Sequence, residues 1–290
     1  MPKMEEDRMY LADGWTDYAV LDAGNGMKRE RWGKVTLLRP DPTAVWSMRD
    51  QQADAVYYRS DKGGGHWEFQ RELPDSWTIA YKDLIFVVRP TGFKHTGLFP
   101  EQAVNWDWMR GLIEQKIARD GSCRVLNLFA YTGGATCACL KSGASVCHVD
   151  AAKGMIAWAK DNVAACGLSD APVRYIVDDC VKFVQREIRR GNFYDGILMD
   201  PPSYGRGPNG ELWKIEESLY PLVENAVKLL SDKPAFFLIN SYTTGLAASV
   251  LNNVLKTAIP YGTAEADEVG LPIRRDGLVL PCGCSGRWHP

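Results

Sequence analysis

The sequence is poor in the residues that build disulfide frameworks and metal sites. No cysteine occurs in the first 120 residues, and the eight cysteines are scattered from Cys123 to Cys284. We therefore expect reduced thiols rather than a disulfide-stabilised secreted domain. Cys137-x-Cys139 and Cys282-x-Cys284 have one intervening residue, whereas common zinc knuckles have two to four. The four histidines include no metal-spaced pair, so we expect no metal.

Long apolar runs and a charge excess are also missing. No apolar stretch approaches the length that spans a bilayer, and Met1–Arg8 is charged, without the apolar core of a signal peptide. We expect a cytoplasmic protein that does not enter a membrane. The net charge is −2, and neither half of the chain is a basic arm. Any nucleic-acid binding must then come from a local cluster of Lys and Arg.

The first 90 residues are typical of short strands. Tyr18–Ala23 and Lys34–Arg39 flank a turn-rich stretch that contains Asn25-Gly26, a strong hairpin signal. Trp77–Tyr81 and Leu84–Arg89 are separated by two residues and are expected to pair. We predict a small β-rich N-terminal module over residues 1–90 and a second domain over residues 91–290.

From Pro100 onward the pattern changes to alternating strands and helices. Such alternation gives right-handed crossovers and a parallel sheet, the α/β class. Residues 265–280 predict an antiparallel hairpin at one edge of that sheet. The predicted strands are Arg124–Phe129, Ser145–Asp150, Val173–Val177, Tyr194–Asp200 and Ala235–Asn240. The predicted helices are Glu101–Arg119, Gly134–Lys141, Gly154–Cys166, Val181–Arg189, Pro221–Leu230 and Ala247–Ala258.

A glycine-containing loop follows the first of these strands. In an open parallel sheet ligands bind beyond the carboxyl ends of the strands, where Tyr131-Thr132-Gly133-Gly134 lies. A dinucleotide site would have G-x-G-x-x-G, but Tyr131 occupies the first glycine position. The loop therefore favours a ligand without phosphates, such as S-adenosylmethionine, whose anionic end is a carboxylate. A plain strand-to-helix turn is the alternative.

The next three strands end in carboxylates. Asp150 can accept hydrogen bonds from ribose hydroxyls or can cap the following helix. A carboxylate at Asp178-Asp179 can accept from an adenine amino group, with Cys180 as a wall of that pocket. Asp200-Pro201-Pro202 indicates a rigid shelf, because proline fixes φ; a proline-rich loop is the alternative.

These motifs together resemble class I S-adenosylmethionine-dependent methyltransferases, and more narrowly the bacterial large-subunit ribosomal RNA methyltransferases that modify cytosine C5 or guanine N7. The resemblance covers residues from about 90 to 260. The motifs that carry it, in chain order, are His95–Gln102, Asn127–Gly134, Val149-Asp150, Ala159–Asn162, Asp178–Cys180 and Asp200–Tyr204.

The resemblance implies a fold, a cofactor and a set of site residues. The fold is α/β and Rossmann-like, with a mostly parallel seven-stranded sheet, an antiparallel edge strand and a small N-terminal β module. The cofactor is S-adenosyl-L-methionine. Its implied contacts are Thr96, Phe99, Gln102, Asn127, Phe129, Tyr131, Thr132, Gly133, Asp150, Ala151, Asp178, Asp179, Cys180 and Asp200. The implied catalytic residues are Asp200, Pro201 and Tyr204.

We expect a base of ribosomal RNA as the substrate. Asp200 could accept a target N–H, the Pro201 carbonyl could orient an amine, and Tyr204 could stack on a base. The fifth strand ends Asn240-Ser241-Tyr242, without the cysteine that cytosine-C5 chemistry requires, so we expect no cysteine nucleophile; Cys282 and Cys284 are the exceptions to test.

Several alternatives stay open. The substrate could be a protein or a small molecule, which the near-neutral charge favours. A nicotinamide oxidoreductase and a binding module without activity are further alternatives, which the missing first glycine and the intact shelf respectively disfavour. Arg206, Trp213 and Lys214 follow the shelf and suit either a nucleic-acid strand or a lid over the cofactor.

Overall fold

The computed structural model describes residues 9–60, 64–206 and 212–290. The glycine-rich stretch Asp61-Lys62-Gly63-Gly64-Gly65, which the sequence predicts to interrupt the strand pattern, lies partly outside these residues. The chain divides into two compact units. The larger unit contains Asn105–Glu268 and Gly283–Pro290, and the smaller unit contains Tyr10–Val104 and Val269–Cys282. The predicted domain boundary at residue 90 stays a prediction.

The smaller unit is built from short strands. Its first seven-residue strand turns at Asn25 and Gly26, whose φ values of 54° and 73° are the left-handed pair that a tight hairpin needs. The second pair predicted from the sequence, around Lys82-Asp83, is also present. The strands are β1 (Tyr10–Leu11), β2 (Tyr18–Gly24), β3 (Met27–Trp32), β4 (Val35–Pro40), β5 (Ala55–Arg59), β6 (Gly65–Phe69), β7 (Trp77–Tyr81) and β8 (Leu84–Val88).

Strand β3 corrects the sequence interpretation, which treated this stretch as part of a turn-rich connection. It pairs with both β2 and β4 in the antiparallel sense. Four of its six residues are charged, which hides the usual alternation of a half-buried strand. The charges are accommodated because Glu30 is fully buried against Arg39 and Tyr18, so that the strand buries ion pairs as well as apolar side chains.

The larger unit alternates strands and helices as predicted. Its helices are α1 (Ala103–Asp120), α2 (Gly134–Lys141), α3 (Lys153–Ala165), α4 (Cys180–Arg190), α5 (Ile215–Val227) and α6 (Ala248–Ala258), and a 3-10 turn at Pro100–Gln102 precedes α1. Its strands are β9 (Arg124–Leu128), β10 (Ser145–Asp150), β11 (Val173–Val177), β12 (Gly196–Met199), β13 (Tyr204–Arg206), β14 (Leu212–Lys214) and β15 (Phe236–Ser241). Strands β16 (Thr263–Pro272) and β17 (Val279–His289) each have residues in both units.

The order of the main sheet places a crevice between β9 and β12. The order is β16-β17-β15-β12-β9-β10-β11, with β1 added beside β16. Strands β9 to β12 and β15 are parallel, and β17 runs antiparallel to β15. The chain moves outward from β9 through β10 to β11 and then returns to the other side of β9 at β12. Ligands of such sheets bind at this reversal, at the carboxyl ends.

Helix α5 begins earlier than predicted. The sequence suggested a start at Pro221, since proline suits a first helical turn, but the helix starts at Ile215 and Pro221 lies inside it. Ile215, Leu219 and Val223 are buried at four-residue spacing, so core packing outweighs the backbone hydrogen bond that Pro221 cannot donate. The short hairpin β13–β14 in front of this helix was not predicted either.

Candidate active site

The loop between β9 and α2, residues 129–133, which we call the Phe129 loop, has an unusual backbone. Phe129, Tyr131 and Gly133 have φ values of 54°, 51° and 81°, so every second residue is left-handed. Two of the three carry a side chain, which makes this conformation costly, on the order of 1–3 kcal/mol each. Such strain persists only where the surroundings hold the backbone in place, and it clusters at binding sites. The turn lies at the carboxyl edge of the sheet, beside the crevice.

Asp150 at the end of β10 holds this loop. The backbone N–H of Tyr131 donates to its Oδ2 at 2.8 Å, and the N–H of Ala152 donates to its Oδ1 at 2.8 Å. Burial raises the pKa of the carboxyl, and these two hydrogen bonds oppose the rise. The N-cap of α3 is Ala152, so Asp150 is not the capping residue itself. Each carboxylate oxygen retains an acceptor position beyond the one bond that it makes to the backbone.

The underside of the loop is fixed by helix α3. Asn162 is fully buried and donates from Nδ2 to the carbonyl of Thr132 at 2.8 Å. A Cβ on Gly133 would lie 3.0 Å from the Cβ of Ala159, so only glycine allows this contact at a positive φ. The A-x-x-N motif thus has a physical role: Ala159 lets the loop approach, and Asn162 ties it down.

A second polar chain lies beneath the loop, inside the sheet. Asn127 donates from Nδ2 to Thr136 Oγ1 at 3.0 Å, and Thr136 Oγ1 lies 2.9 Å from His148 Nδ1. Burial lowers the pKa of His148 to about 4, so its ring is neutral at pH 7 and shares a hydrogen bond with the Thr136 hydroxyl. Asn127 is therefore a buried supporting residue. Sequence reasoning missed Thr136 and His148, although a polar histidine in the apolar strand β10 was the available signal.

The end of β11 uses its carboxylates in local structure. Asp178 forms an ion pair with Arg186, and Asp179 is the N-cap of α4, accepting the N–H of Lys182 at 2.9 Å. Cys180 is buried, and its Sγ accepts the N–H of Phe129 at 3.3 Å. The thiol thus connects the ends of β9 and β11. Contact of these three residues with adenine stays a prediction.

Trp213 joins the shelf after β12 to the Phe129 loop. The indole Nε1 donates to the carbonyl of Pro202 at 2.6 Å, and the ring centroids of Trp213 and Phe129 are 5.3 Å apart. The backbone N–H of Asp200 donates to the carbonyl of Leu128 at 3.3 Å. Pro201 is buried. The structure therefore brings the Asp200 shelf to the same edge of the sheet as Phe129 and Asp150.

Tyr204 stands at the outer side of this edge. Its side chain is 57% exposed, and in the β13–β14 hairpin it lies opposite Lys214. Lys214 pairs with Glu217 at 2.9 Å. The Arg206 side chain lies outside the described part of the chain. An exposed aromatic ring beside a cation is thus present next to the shelf.

Three of the four remaining predicted contacts belong to the smaller unit. Thr96 is fully buried with no hydrogen-bond partner for its hydroxyl among the described residues. The rings of Phe99 and His95 are 5.2 Å apart, and Gln102 is buried in the 3-10 turn. Burial, then the charge of Arg39, lowers the pKa of His95 to about 3. Ala151, in the larger unit, is exposed beside Asp150.

Two further features concern metals and membranes. Within residues 9–60, 64–206 and 212–290, no group of three or more His, Cys, Asp or Glu side chains is placed to hold a metal ion. No helix in that same part of the chain has the length and apolar character to cross a bilayer.

The sheet is Rossmann-like, and its reversal at β9 and β12 is the position where such sheets bind ligands; comparison with known proteins identifies the family. The chain belongs to the S-adenosylmethionine-dependent methyltransferase family, whose profile matches residues 38–215. A methyltransferase structure from Agrobacterium tumefaciens superposes with a TM-score of 0.92 at 34% identity, over 98% of this chain and 93% of that one.

Curated relatives are larger proteins. The chain is 35% identical over 193 residues to the ribosomal RNA large subunit methyltransferase K/L of Pseudoalteromonas atlantica, covering 66% of this chain and 25% of that protein. The namesake from Shewanella baltica is 36% identical over 148 residues, covering 50% and 20%. This chain therefore spans about a quarter or less of those relatives. The predicted family, fold class and cofactor, S-adenosylmethionine, are confirmed.

Proposed function

We propose that this chain transfers a methyl group from S-adenosylmethionine to a base nitrogen of ribosomal RNA. The observation that carries the proposal is the Asp200-Pro201-Pro202 shelf, joined through Trp213 to the Phe129 loop at the reversal of the sheet. The substrate class is supported by the relatives whose names specify ribosomal RNA of the large subunit.

The chain's residues fit the cofactor. Asp150 makes two backbone hydrogen bonds, and within the described residues no cation pairs with it, so its charge and open acceptor positions suit the two hydroxyls of a ribose. Helix α2 begins at Gly134, and the first N–H groups of a helix have no partner within the helix. They suit the carboxylate of the cofactor's amino-acid end.

The chemistry asks the protein for positioning and for one proton acceptor. When bound, S-adenosylmethionine supplies an electrophilic methyl group on a sulfonium. Asp200 accepts the N–H of the target nitrogen and orients its lone pair towards that methyl group. As the new N–C bond forms and the C–S bond breaks, Asp200 receives the proton that leaves the nitrogen. The Pro201 carbonyl is a second acceptor for an exocyclic amine.

Tyr204 and Lys214 fit the substrate side. The exposed Tyr204 ring can stack on a base, a contact worth about 1–3 kcal/mol, and Lys214 offers a positive charge in the same hairpin. A base that is paired in a helix would first have to leave the stack. The whole chain is not basic, so this local pairing of an aromatic ring with a cation supports RNA where net charge does not.

The deciding experiment compares ribosomal RNA from cells with and without this protein by nucleoside mass spectrometry. We expect one methylated nucleoside to disappear in its absence and to return with the wild-type gene. Complementation with Asp200→Asn should not restore it, although the protein accumulates normally. Unchanged nucleosides in cells lacking the protein would refute the ribosomal RNA assignment.

A labelled methyl donor separates the alternatives in vitro. Purified protein is incubated with labelled S-adenosylmethionine and either ribosomal RNA or total protein from cells that lack it. We expect label in RNA alone. Label in protein, or in small molecules that pass a filter, would favour the protein or small-molecule alternative over RNA.

A further inference from the structure

A second cavity lies at the opposite edge of the main sheet, at the amino ends of β9, β10 and β11. Its volume is about 280 Å³, and its lining includes Arg124, Ser145, Cys147, Arg174 and Tyr194. Strand β9 has five residues, so about 16 Å of strand separates this cavity from the Asp200 edge. It is therefore distinct from the candidate active site.

The strand register directs both arginines to one face of the sheet. In the strand register Arg124 pairs with Ser145 of β10, and Arg174 pairs with Cys147 of β10. Residues level with each other in neighbouring strands, and residues two apart in one strand, point to the same side. The two guanidinium groups thus approach one space from strands on either side of β10.

Neither arginine forms an ion pair of 4 Å or less with the described residues. The Arg124 guanidinium lies 5.3 Å from the ring centroid of Tyr194, a cation–π distance, and the charge of Arg174 acts on the buried Glu187, whose pKa it lowers. Burial, with the charge of Glu187, raises the pKa of the Cys147 thiol to about 11, while Tyr194 and the charges of Arg174 and Arg124 oppose that rise. Both positive charges therefore act on the space around one buried atom.

A buried carboxylate beside Tyr194 already has hydrogen-bond donors. Glu187 is fully buried and accepts from the Tyr194 hydroxyl at 2.7 Å, from Asn192 at 2.8 Å and from Arg190 at 3.1 Å. The hydrogen bond from Arg190 and the charge of Arg174 both lower the pKa of Glu187. Arg124 and Arg174 are exposed and remain available to an anion that enters from solvent.

We propose that this cavity binds a phosphate group carried on an organic molecule, held between Arg124 and Arg174. Paired guanidinium groups match the oxygens of phosphate in charge and geometry. A cavity of about 280 Å³ is near the lower limit of small-molecule sites, about 300 Å³, and holds roughly nine waters' volume. It has space for a phosphate and part of its carrier. A free phosphomonoester and the backbone of RNA share this chemistry.

The test measures inorganic phosphate binding by calorimetry at constant ionic strength. We expect saturable binding to the wild-type protein, weakened at least about tenfold in the double variant Arg124→Gln/Arg174→Gln. The matched control is Arg189→Gln, an exposed arginine on α4 outside the lining, which should bind as the wild type does. Absence of saturable binding, or equal affinity in the double variant, would overturn the proposal.

Competition identifies the carrier. Ribose 5-phosphate and a short single-stranded oligoribonucleotide are each tested for displacement of bound phosphate. Displacement by the first alone supports a free phosphomonoester, and displacement by the oligonucleotide supports an RNA backbone contact remote from the methyl-transfer edge. Phosphate that neither compound displaces would overturn the proposal, because the cavity would then accept no carried phosphate. The methyl-transfer assay is not used, so failure here leaves the proposed function standing.

Discussion

The buried Glu30 of the smaller unit and the half-buried Asp150 of the larger unit are held in opposite ways. Glu30 in the smaller unit accepts from the Tyr18 hydroxyl at 2.7 Å and from Arg39 at 2.6 and 2.7 Å, with Lys28 3.8 Å away. Asp150 in the larger unit has two backbone N–H donors. The first carboxylate is enclosed by side chains of opposite charge, whereas the second is held by the main chain alone.

The pKa directions follow from that difference. Burial raises the pKa of Glu30, but the charges of Arg39 and Lys28 and the hydrogen bonds outweigh burial and bring it to about 2. At Asp150 burial outweighs the two hydrogen bonds, and the pKa is raised. A carboxylate whose charge is fully balanced serves the fold. One whose charge is left unbalanced at a binding edge is suited to an external donor.

The largest expected effect is on stability, from the Glu30 cluster. Glu30→Gln keeps the side-chain shape but leaves the buried Arg39 without its counter-charge, whereas Lys28 retains Asp41 at 3.2 Å. The free energy of unfolding should therefore fall by about 3–5 kcal/mol. Urea denaturation measures it. Arg71→Gln is the control, since its ion pair with Asp54 is exposed and should contribute 1 kcal/mol or less. Similar losses in the two variants would remove the distinction between the cluster and an ordinary surface pair.

The second prediction concerns His148 beneath the Phe129 loop, and it asks whether this buried site tolerates a charge as the Glu30 cluster does. Burial lowers the pKa of His148 to about 4, so between pH 6.5 and 4 the unfolded chain binds a proton there that the folded chain does not. The free energy of unfolding should therefore fall as pH falls through this window, by about 3 kcal/mol from His148. His95 contributes separately in the same direction.

The variant His148→Gln isolates this contribution. Its amide can still accept the Thr136 hydroxyl but cannot gain a proton in this range, so the dependence of unfolding free energy on pH should be flatter than in the wild type. His66→Gln, at an exposed side chain, should retain the wild-type dependence. An identical dependence in all three proteins would show that His148 is not held neutral by the fold.

The third prediction concerns Asp200, which the proposed function makes a participant in the reaction. Asp200→Asn keeps the shape and removes the charge, so turnover should fall roughly a hundredfold or more with little change in cofactor affinity. Steady-state kinetics and calorimetry with S-adenosylhomocysteine give the two quantities. Asp232→Asn, an exposed carboxylate in the same unit, is the control. Retained turnover in Asp200→Asn would make Asp200 a structural strand end.

The fourth prediction tests Asp150 directly. Asp150→Ala should weaken S-adenosylhomocysteine binding by about 2 kcal/mol or more, because hydrogen bonds to a charged acceptor are lost and the Tyr131 backbone loses its partner. Asp161→Ala removes an equal charge from the exposed side of α3 and should bind normally. If Asp150→Ala also binds S-adenosylhomocysteine with normal affinity, Asp150 does not bind the cofactor and differs from Glu30 only in how it is packed.

Features that depend on local sequence pattern were predicted, whereas features that depend on contacts distant in sequence were not. Strands β10 and β11 match the predicted residues, because both are short runs that contain β-branched residues and are bounded by turns. Asp150 and Asp200 were placed at strand ends for the same reason. The left-handed φ of Phe129 and Tyr131 was not predictable, since neither residue type favours it; hydrogen bonds to Cys180 and Asp150, distant in sequence, hold it.

Two elements, strand β3 and the start of helix α5, were predicted wrongly for the same reason. Strand β3 was missed because its charged residues find partners on β2 and β4, which periodicity does not reveal. The start of α5 was placed at Pro221 because local preference ignores the buried row from Ile215 to Val223. In each case a contact distant in sequence outweighed a local rule.

The smallest effect is expected from replacing Cys282 and Cys284, which should leave methyl transfer almost unchanged. Cytosine-C5 chemistry would need a thiolate, yet burial raises the pKa of Cys284 to about 11 and raises that of Cys282 as well. Cys284 Sγ donates to the carbonyl of Leu246 at 3.2 Å, and Cys282 Sγ to that of Leu280 at 3.4 Å. Both thiols are thus protonated donors, with low nucleophilicity at pH 7.

Replacing both by serine preserves a donor at each position, so the variant should fold and retain methyl transfer within about twofold of wild type. The measurement is transfer of labelled methyl to the true substrate, with Asp200→Asn as the inactive reference. RNA that carries 5-fluorocytosine adds a second readout, since a nucleophilic thiol would be trapped as a covalent adduct. Loss of activity in the double serine variant, or an adduct at Cys282 or Cys284, would restore the cytosine-C5 reaction and remove Asp200 from the role of proton acceptor.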